Sequence, residues 1–366
     1  MKNYHFNLIV LAIALSSIGV LAVGSAMESL QIRQLIGVIL GVIIMVGVSF
    51  VDYHKILKLY RPLYILNIIL LLGVHFFGVE SHNARRWLQV GPIRFQPSDL
   101  TKIIVILFFA QFLSLHRSAF KDSPGFKNKI LWQAVGAILP SLILVKKQPN
   151  LSNTICIALI FCILLYLAGL QYRLIGRVLI VVVPLSIIFL SIVVRPNQKL
   201  IEGYQRQRIM AWLEPEKYQD STGYQQKNSI MAIGSGQLKG KGLNNNTTTS
   251  VKKGNFISEP HTDFIFAIIG EELGFVGCCL VIILLLLIVI ECILIGMRSK
   301  DIEGQLVCGG VAALIGCQTF INIAVATGIL PNTGLSLPFV SYGLTSLECM
   351  FASLGFVLNV GLQPKK

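Results

Sequence analysis

Acid is scarce in this chain. It carries 17 aspartates and glutamates against 31 lysines and arginines, and the four types together make up only 13% of 366 residues. Soluble domains carry about 25% charged residues, so an ordinary soluble fold is excluded. Hydrophobic residues reach 54% and mean hydropathy is +0.72, which puts the chain among integral membrane proteins. The net charge is +14, yet so apolar a chain offers no soluble basic face, which argues against nucleic acid; anionic or phosphorylated lipid fits better. Cysteine is missing from polar sequence. All eight (Cys156, Cys162, Cys278, Cys279, Cys292, Cys308, Cys317, Cys349) lie in apolar runs, which excludes a disulfide or cysteine–metal framework. No repeat of fixed period is present, nor the pair of related halves expected of many transporters. The glycine-rich run AIGSGQLKGKGL, Ala232 to Leu243, has the spacing of neither a P-loop nor a dinucleotide fingerprint.

Long hydrophobic runs are plentiful. Ten segments approach the ~20 residues that cross a bilayer as a helix: roughly 7–25, 34–51, 62–79, 100–116, 130–145, 153–170, 174–194, 264–297, 305–327 and 339–360. The expectation is an all-α integral membrane protein, one polytopic domain over residues 1–366 with about ten transmembrane helices. Lys2 and the Gly24-Ser25-Ala26 end give the first segment the outline of a signal peptide, but the spans that follow argue for a retained helix. With the N-terminus inside, inner connections hold fourteen lysines and arginines and short outer loops hold six. That bias predicts both termini in the cytoplasm. The polar stretch of 68 residues from Arg195 to Thr262 then becomes a large extracytoplasmic loop between the seventh and eighth spans.

The few acids concentrate where that loop ends. SEPHTDFIFAIIGEELG, Ser258 to Gly274, holds Glu259, Asp263, Glu271 and Glu272 at the start of the eighth span. A carboxylate at a bilayer centre costs about 2.5–3.5 kcal/mol, so acids near membrane helices are kept for function or pairing. Asp263 also has the position of a helix cap. Other outer-face groups are Arg85 and Arg86, then Asp99 and Lys102, then Lys147 and Asn150 in a tight turn, and Arg206 and Arg208 in YQRQRI. Asp99 and Lys102, three apart, share a helix face and either pair together or leave the lysine to a phosphate. GILPNTGLSLPFVSYGLTSL, Gly328 to Leu347, breaks apolar sequence with prolines and glycines and reads as a re-entrant loop lining a cavity.

In order and spacing, the strings ARRWL, FQPSDLTK, KQPNLSNT, YQRQRI, AIGSG, GKG, HTDFIFAIIGEELGF and LPFVSYG resemble the SEDS proteins of shape, elongation, division and sporulation. ARRWL and VDYHKI look most like the elongation branch. The resemblance implies a peptidoglycan glycosyltransferase that polymerises lipid II on the outer face of the cytoplasmic membrane. A flippase for the same lipid and a catalytically silent scaffold are the rival classes. It places the family's essential aspartate on Asp263. It makes Lys102, Asp99, Arg85, Arg86, Lys147, Asn150, Arg206, Arg208, His261, Thr262 and Ser341 candidate substrate-binding residues. The implied partners are lipid II, the nascent glycan strand, membrane lipid and a class B penicillin-binding protein; a divalent cation, Mg or Mn, is open, with no evident ligand set. Three positions depart from the family's pattern: Asn150 where an acid is usual, Asp99 where glutamate is usual, and Leu344 where glycine is usual.

Overall fold

The computed structural model describes residues 5–81, 84–91, 93–117, 129–171, 203–214, 222–243 and 259–363, with positions 176, 180 and 217. Its helices are α1 (Phe6–Ala26), α2 (Glu28–Ser49), α3 (Tyr53–Lys58), α4 (Tyr60–Phe77), α5 (Pro97–Leu115), α6 (Lys129–Lys147), α7 (Leu151–Leu167), α8 (Gly203–Leu213), α9 (Thr222–Ser235), α10 (Ile265–Met297), α11 (Ile302–Ala326) and α12 (Leu344–Leu362). Eight of them are long and apolar enough to cross a membrane, and α7 is a shorter apolar helix. The span expected at 174–194 falls outside the described residues apart from positions 176 and 180.

The helix starts are written in the sequence. Pro97 opens α5, where its missing N–H costs nothing. Asn150 caps α7 by accepting from Asn153 N at 3.3 Å, and Asp301 caps α11 by accepting from Gly304 N at 2.9 Å. Fourteen of the nineteen residues of α5 are buried, which makes it the central helix of the bundle. Ile32, Ile36, Ile39 and Ile43 on α2 stay exposed, as befits a lipid-facing row. A small antiparallel sheet, β1 (Val79–Ser81), β2 (Ala84–Val90) and β3 (Ile93–Phe95), joins α4 to α5 and carries Arg85 and Arg86.

The overlong eighth span is two pieces. Gly274 (φ 65, ψ -163) breaks α10, and the glycine-rich run after α9 replaces the helical bonds lost there. Lys241 N and Gly242 N donate to the carbonyls of Glu271 and Glu272, each at 2.9 Å, while Phe275 N and Val276 N donate to Gln237 O and Leu238 O at 2.8 and 3.2 Å. A Cβ on Gly240 would strike the Glu272 carbonyl, so the run is glycine-rich because two backbones touch. The two glutamates of this half-helix are engaged as well. Glu271 pairs with Lys241 Nζ at 2.9 Å, and Glu272 accepts from Ser25 Oγ.

At the other end of the bundle, His54 bridges α3 to α11. Its Nδ1 lies 2.9 Å from Asp52 and its Nε2 2.6 Å from Asp301, which also accepts from Tyr53 OH at 2.7 Å. The two carboxylates hold the imidazole above its ordinary pKa against the opposing pull of burial. Glu303 completes a trio able to hold a metal ion, but the 2.6 Å contact is a hydrogen-bond distance and fits a shared proton.

Candidate active site

Asp263 is the last residue but one before α10. The cap position belongs to Phe264 and no side chain caps this helix, so the capping role open to Asp263 in the sequence is not the one it takes. The half-buried turn 259–264 is held from outside itself. Three successive carbonyls each accept a hydrogen bond from α11 or the 327–343 loop: His261 O from Tyr342 N at 2.9 Å, Thr262 O from Ser341 Oγ at 2.7 Å, and Asp263 O from Asn322 Nδ2 at 2.8 Å. That loop is the buried, irregular segment expected from its prolines and glycines, with Leu337, Phe339 and Val340 in the core.

The carboxylate and a guanidinium converge on one glycine. A Cβ placed on Gly334 (φ +75) would lie 3.3 Å from Asp263 Oδ2 and 3.7 Å from Arg208 Nη1. Arg208, on α8, also donates to Asn332 O at 3.4 Å. Burial pushes the Asp263 carboxyl above its ordinary pKa; Arg208 and Arg86 pull it back, and Glu259 adds to the rise. Arg86 reaches over from the sheet to donate to Pro149 O. A cleft between Pro149, Leu151, Arg208, Ile209, Asn332 and Thr333 joins the KQPN turn, the YQRQRI helix and the 327–343 loop at this spot. His261 packs edge-on against Tyr342 with ring centroids 5.7 Å apart, and burial lowers its pKa.

The other expected site residues fall into two groups. Arg85 and Lys147 are exposed and Arg206 is half-buried. Five, Lys102, Asp99, Asn150, Thr262 and Ser341, are engaged by other protein groups in this conformation. Lys102 is 1% exposed; its ammonium sits 2.8 Å from Asp99 and donates to Gln318 Oε1 at 3.0 Å and Asn153 Oδ1 at 3.4 Å. Of the two readings of the Asp99–Lys102 spacing, pairing is the one found. Ser341 spends its hydroxyl on Thr262 O and accepts from Leu337 N at 2.7 Å. Asn150 spends its side chain as the α7 cap and on Ser98 Oγ at 3.3 Å. The Thr262 hydroxyl donates to Glu259 O at 3.0 Å. Leu344 starts α12 in helical conformation, so that position makes no demand for glycine here.

Sequence reasoning passed over Gln318, Asn322 and Gly334. Gln318 and Asn322 are four apart in an otherwise apolar span, hence on one face, and a pair of buried amides in a membrane helix was the available signal. Gln318 Nε2 donates to Ser336 O at 2.9 Å, which links the buried lysine to the same loop that braces Asp263.

Fold and site together define a polytopic α-helical membrane protein with a braced carboxylate and a guanidinium converging on one glycine at one end of its bundle. The chain belongs to the Cell cycle protein family of FtsW, RodA and SpoVE, which matches residues 3–366. It is 36% identical over 360 residues to the peptidoglycan glycosyltransferase MrdB of Escherichia coli K12, covering 96% of this chain and 91% of that one. It is 31% identical over 378 residues to a probable peptidoglycan glycosyltransferase FtsW of Geobacter metallireducens, covering 100% and 96%. Among solved structures it is similar to a chain of a peptidoglycan synthase complex that coordinates polymerization and crosslinking, with a TM-score of 0.81, 27% identity and 98% of both chains covered. The rod shape determining protein RodA of Thermus thermophilus matches with a TM-score of 0.71 and 26% identity over 98% of this chain and 97% of that one.

Proposed function

We propose that this chain is a peptidoglycan glycosyltransferase, joining lipid II units into glycan at the end of the bundle that carries Asp263. The supporting observation is the convergence of Asp263 and Arg208 at Gly334, within a family whose relatives carry that activity in their names. The leaving group of such a transfer is a polyprenyl pyrophosphate, already a stable anion, so the reaction needs one base and a group of cations. An acceptor-sugar hydroxyl attacks the anomeric carbon of the donor. The new O–C bond forms as the bond from that carbon to the pyrophosphate oxygen breaks, and the hydroxyl proton passes to the Asp263 carboxylate. Burial makes Asp263 a stronger base than an exposed aspartate. Arg208 and Arg86 stabilise the departing pyrophosphate, with Arg206, Lys147 and Arg85 drawing the anionic lipid to that face. Lys102 acts from below as a buried support.

The described residues around Asp263 make a poor protein-held divalent site. Apart from burial, the Arg208 guanidinium acts most strongly on its carboxylate, and the acid that acts on it, Glu259, is exposed. The site end faces outward in this reading, both termini face the cytoplasm, and a crosslinking penicillin-binding protein receives the glycan. Purified protein incubated with labelled lipid II tests the proposal: polymer on a gel supports it. A protein that binds lipid II without making polymer is the scaffold of the rival reading.

A further inference from the structure

We infer that Asn322 is a positioning residue for Asp263, setting the carboxylate against Arg208 without touching substrate. The inference rests on the reading of Asp263 as the base. Asn322 is 1% exposed at the outer end of α11. Its amide uses both hydrogens: one goes to Asp263 O at 2.8 Å and the other to Leu335 O at 2.6 Å. Leu335 follows Gly334, the residue at which carboxylate and guanidinium meet. One side chain thus fixes the backbone of the base and the backbone of the glycine packed against it. Asp263 lies outside α10, so no helical ladder does this for it. Of the three braces on the turn, Asn322 alone acts on Asp263 itself; the other two act one and two residues earlier.

Losing a brace of this kind displaces the base by a fraction of a side chain while leaving the lipid-binding cations in place. A misplacement of about 1 Å costs roughly 10²-fold in rate. The predicted result for Asn322→Ala, assayed on lipid II polymerisation, is kcat lower by about 10²-fold with KM changed less than about 3-fold. Asn322→Asp, equal in volume, turns an oxygen toward each carbonyl and is expected to fall as far. Asn67→Ala serves as a control for mere core damage. Asn67 is equally buried and donates to Ser141 Oγ at 3.3 Å, away from the turn, so it lowers stability and leaves kcat within about 3-fold. Hydrogen exchange judges the brace without activity: segments 259–267 and 335–343 exchange about 10-fold faster in Asn322→Ala, while α4 is unchanged. Unchanged exchange, or a kcat within about 2-fold of wild type, overturns the inference. A fall in kcat that Asn67→Ala reproduces overturns it too. A wild-type protein that makes no polymer overturns the reading of Asp263 as base, and exchange then decides the brace by itself.

Discussion

Replacing Lys102 by methionine separates a structural lysine from one that binds phosphate. The ammonium lies 2.8 Å from Asp99 Oδ1, with side chains only 1% and 9% exposed. Removing it leaves a buried carboxylate without its cation, and breaking such a pair from one side costs about 3–5 kcal/mol. The amide oxygens of Gln318 and Asn153 lose a donor in the same step. At roughly 2–4 °C per kcal/mol, the apparent Tm of Lys102→Met falls by roughly 6–20 °C. Neutralising both partners, Asp99→Asn with Lys102→Met, removes the stranded charge and recovers more than half of that loss. The assay is thermal unfolding in one detergent at one heating rate, read with a thiol-reactive dye, since Cys156, Cys292 and Cys308 are buried until the bundle opens. If the double variant is as unstable as the two singles summed, the pair is not coupled and the reasoning fails. If Lys102→Met keeps its Tm but loses affinity for lipid II, the lysine belongs to the substrate after all.

Three further outcomes are expected. Asn150→Asp keeps the α7 cap, because Oδ1 still accepts from Asn153 N, and it accepts from the Ser98 hydroxyl where Asn150 donated; polymerisation stays within about 3-fold of wild type or rises, and a larger loss would show a site rebuilt around a neutral residue. The acid limb of kcat against pH lies above the ordinary aspartate range, because burial raises the Asp263 pKa and the rate falls as pH drops through it. Arg208→Gln removes an opposing charge and moves that limb further up; a downward shift would contradict the electrostatic picture. Lys239→Cys, exposed in the glycine-rich run, is labelled in intact cells by an impermeant maleimide, and protection would reverse the proposed orientation.

Spans and end groups were legible because bilayer length and the scarcity of acid leave few alternatives for runs such as Phe6–Ala26. The acid cluster at the start of the eighth span stood out for the same reason, and the family resemblance singled out Asp263 among its four carboxylates. The burial of Lys102 was not legible because sequence gives charge and spacing but not depth: three residues apart on α5 allowed pairing with Asp99, and α5 is the central helix of the bundle. Ala232 to Leu243 was unreadable alone, since its glycines answer to a break at Gly274 about thirty residues later. Asn322 was missed because an amide in an apolar helix says that it needs partners without saying which, and the partners are carbonyls on two separate segments.

The central claim is that Asp263 is the base of the transfer. Asp263→Asn keeps the volume of the side chain and removes only its charge and basicity. Incubated with labelled lipid II, the variant is expected to bind the lipid and keep the elution profile of wild type while polymer formation falls by about 10²–10⁴-fold. Undiminished polymer from Asp263→Asn would contradict the account.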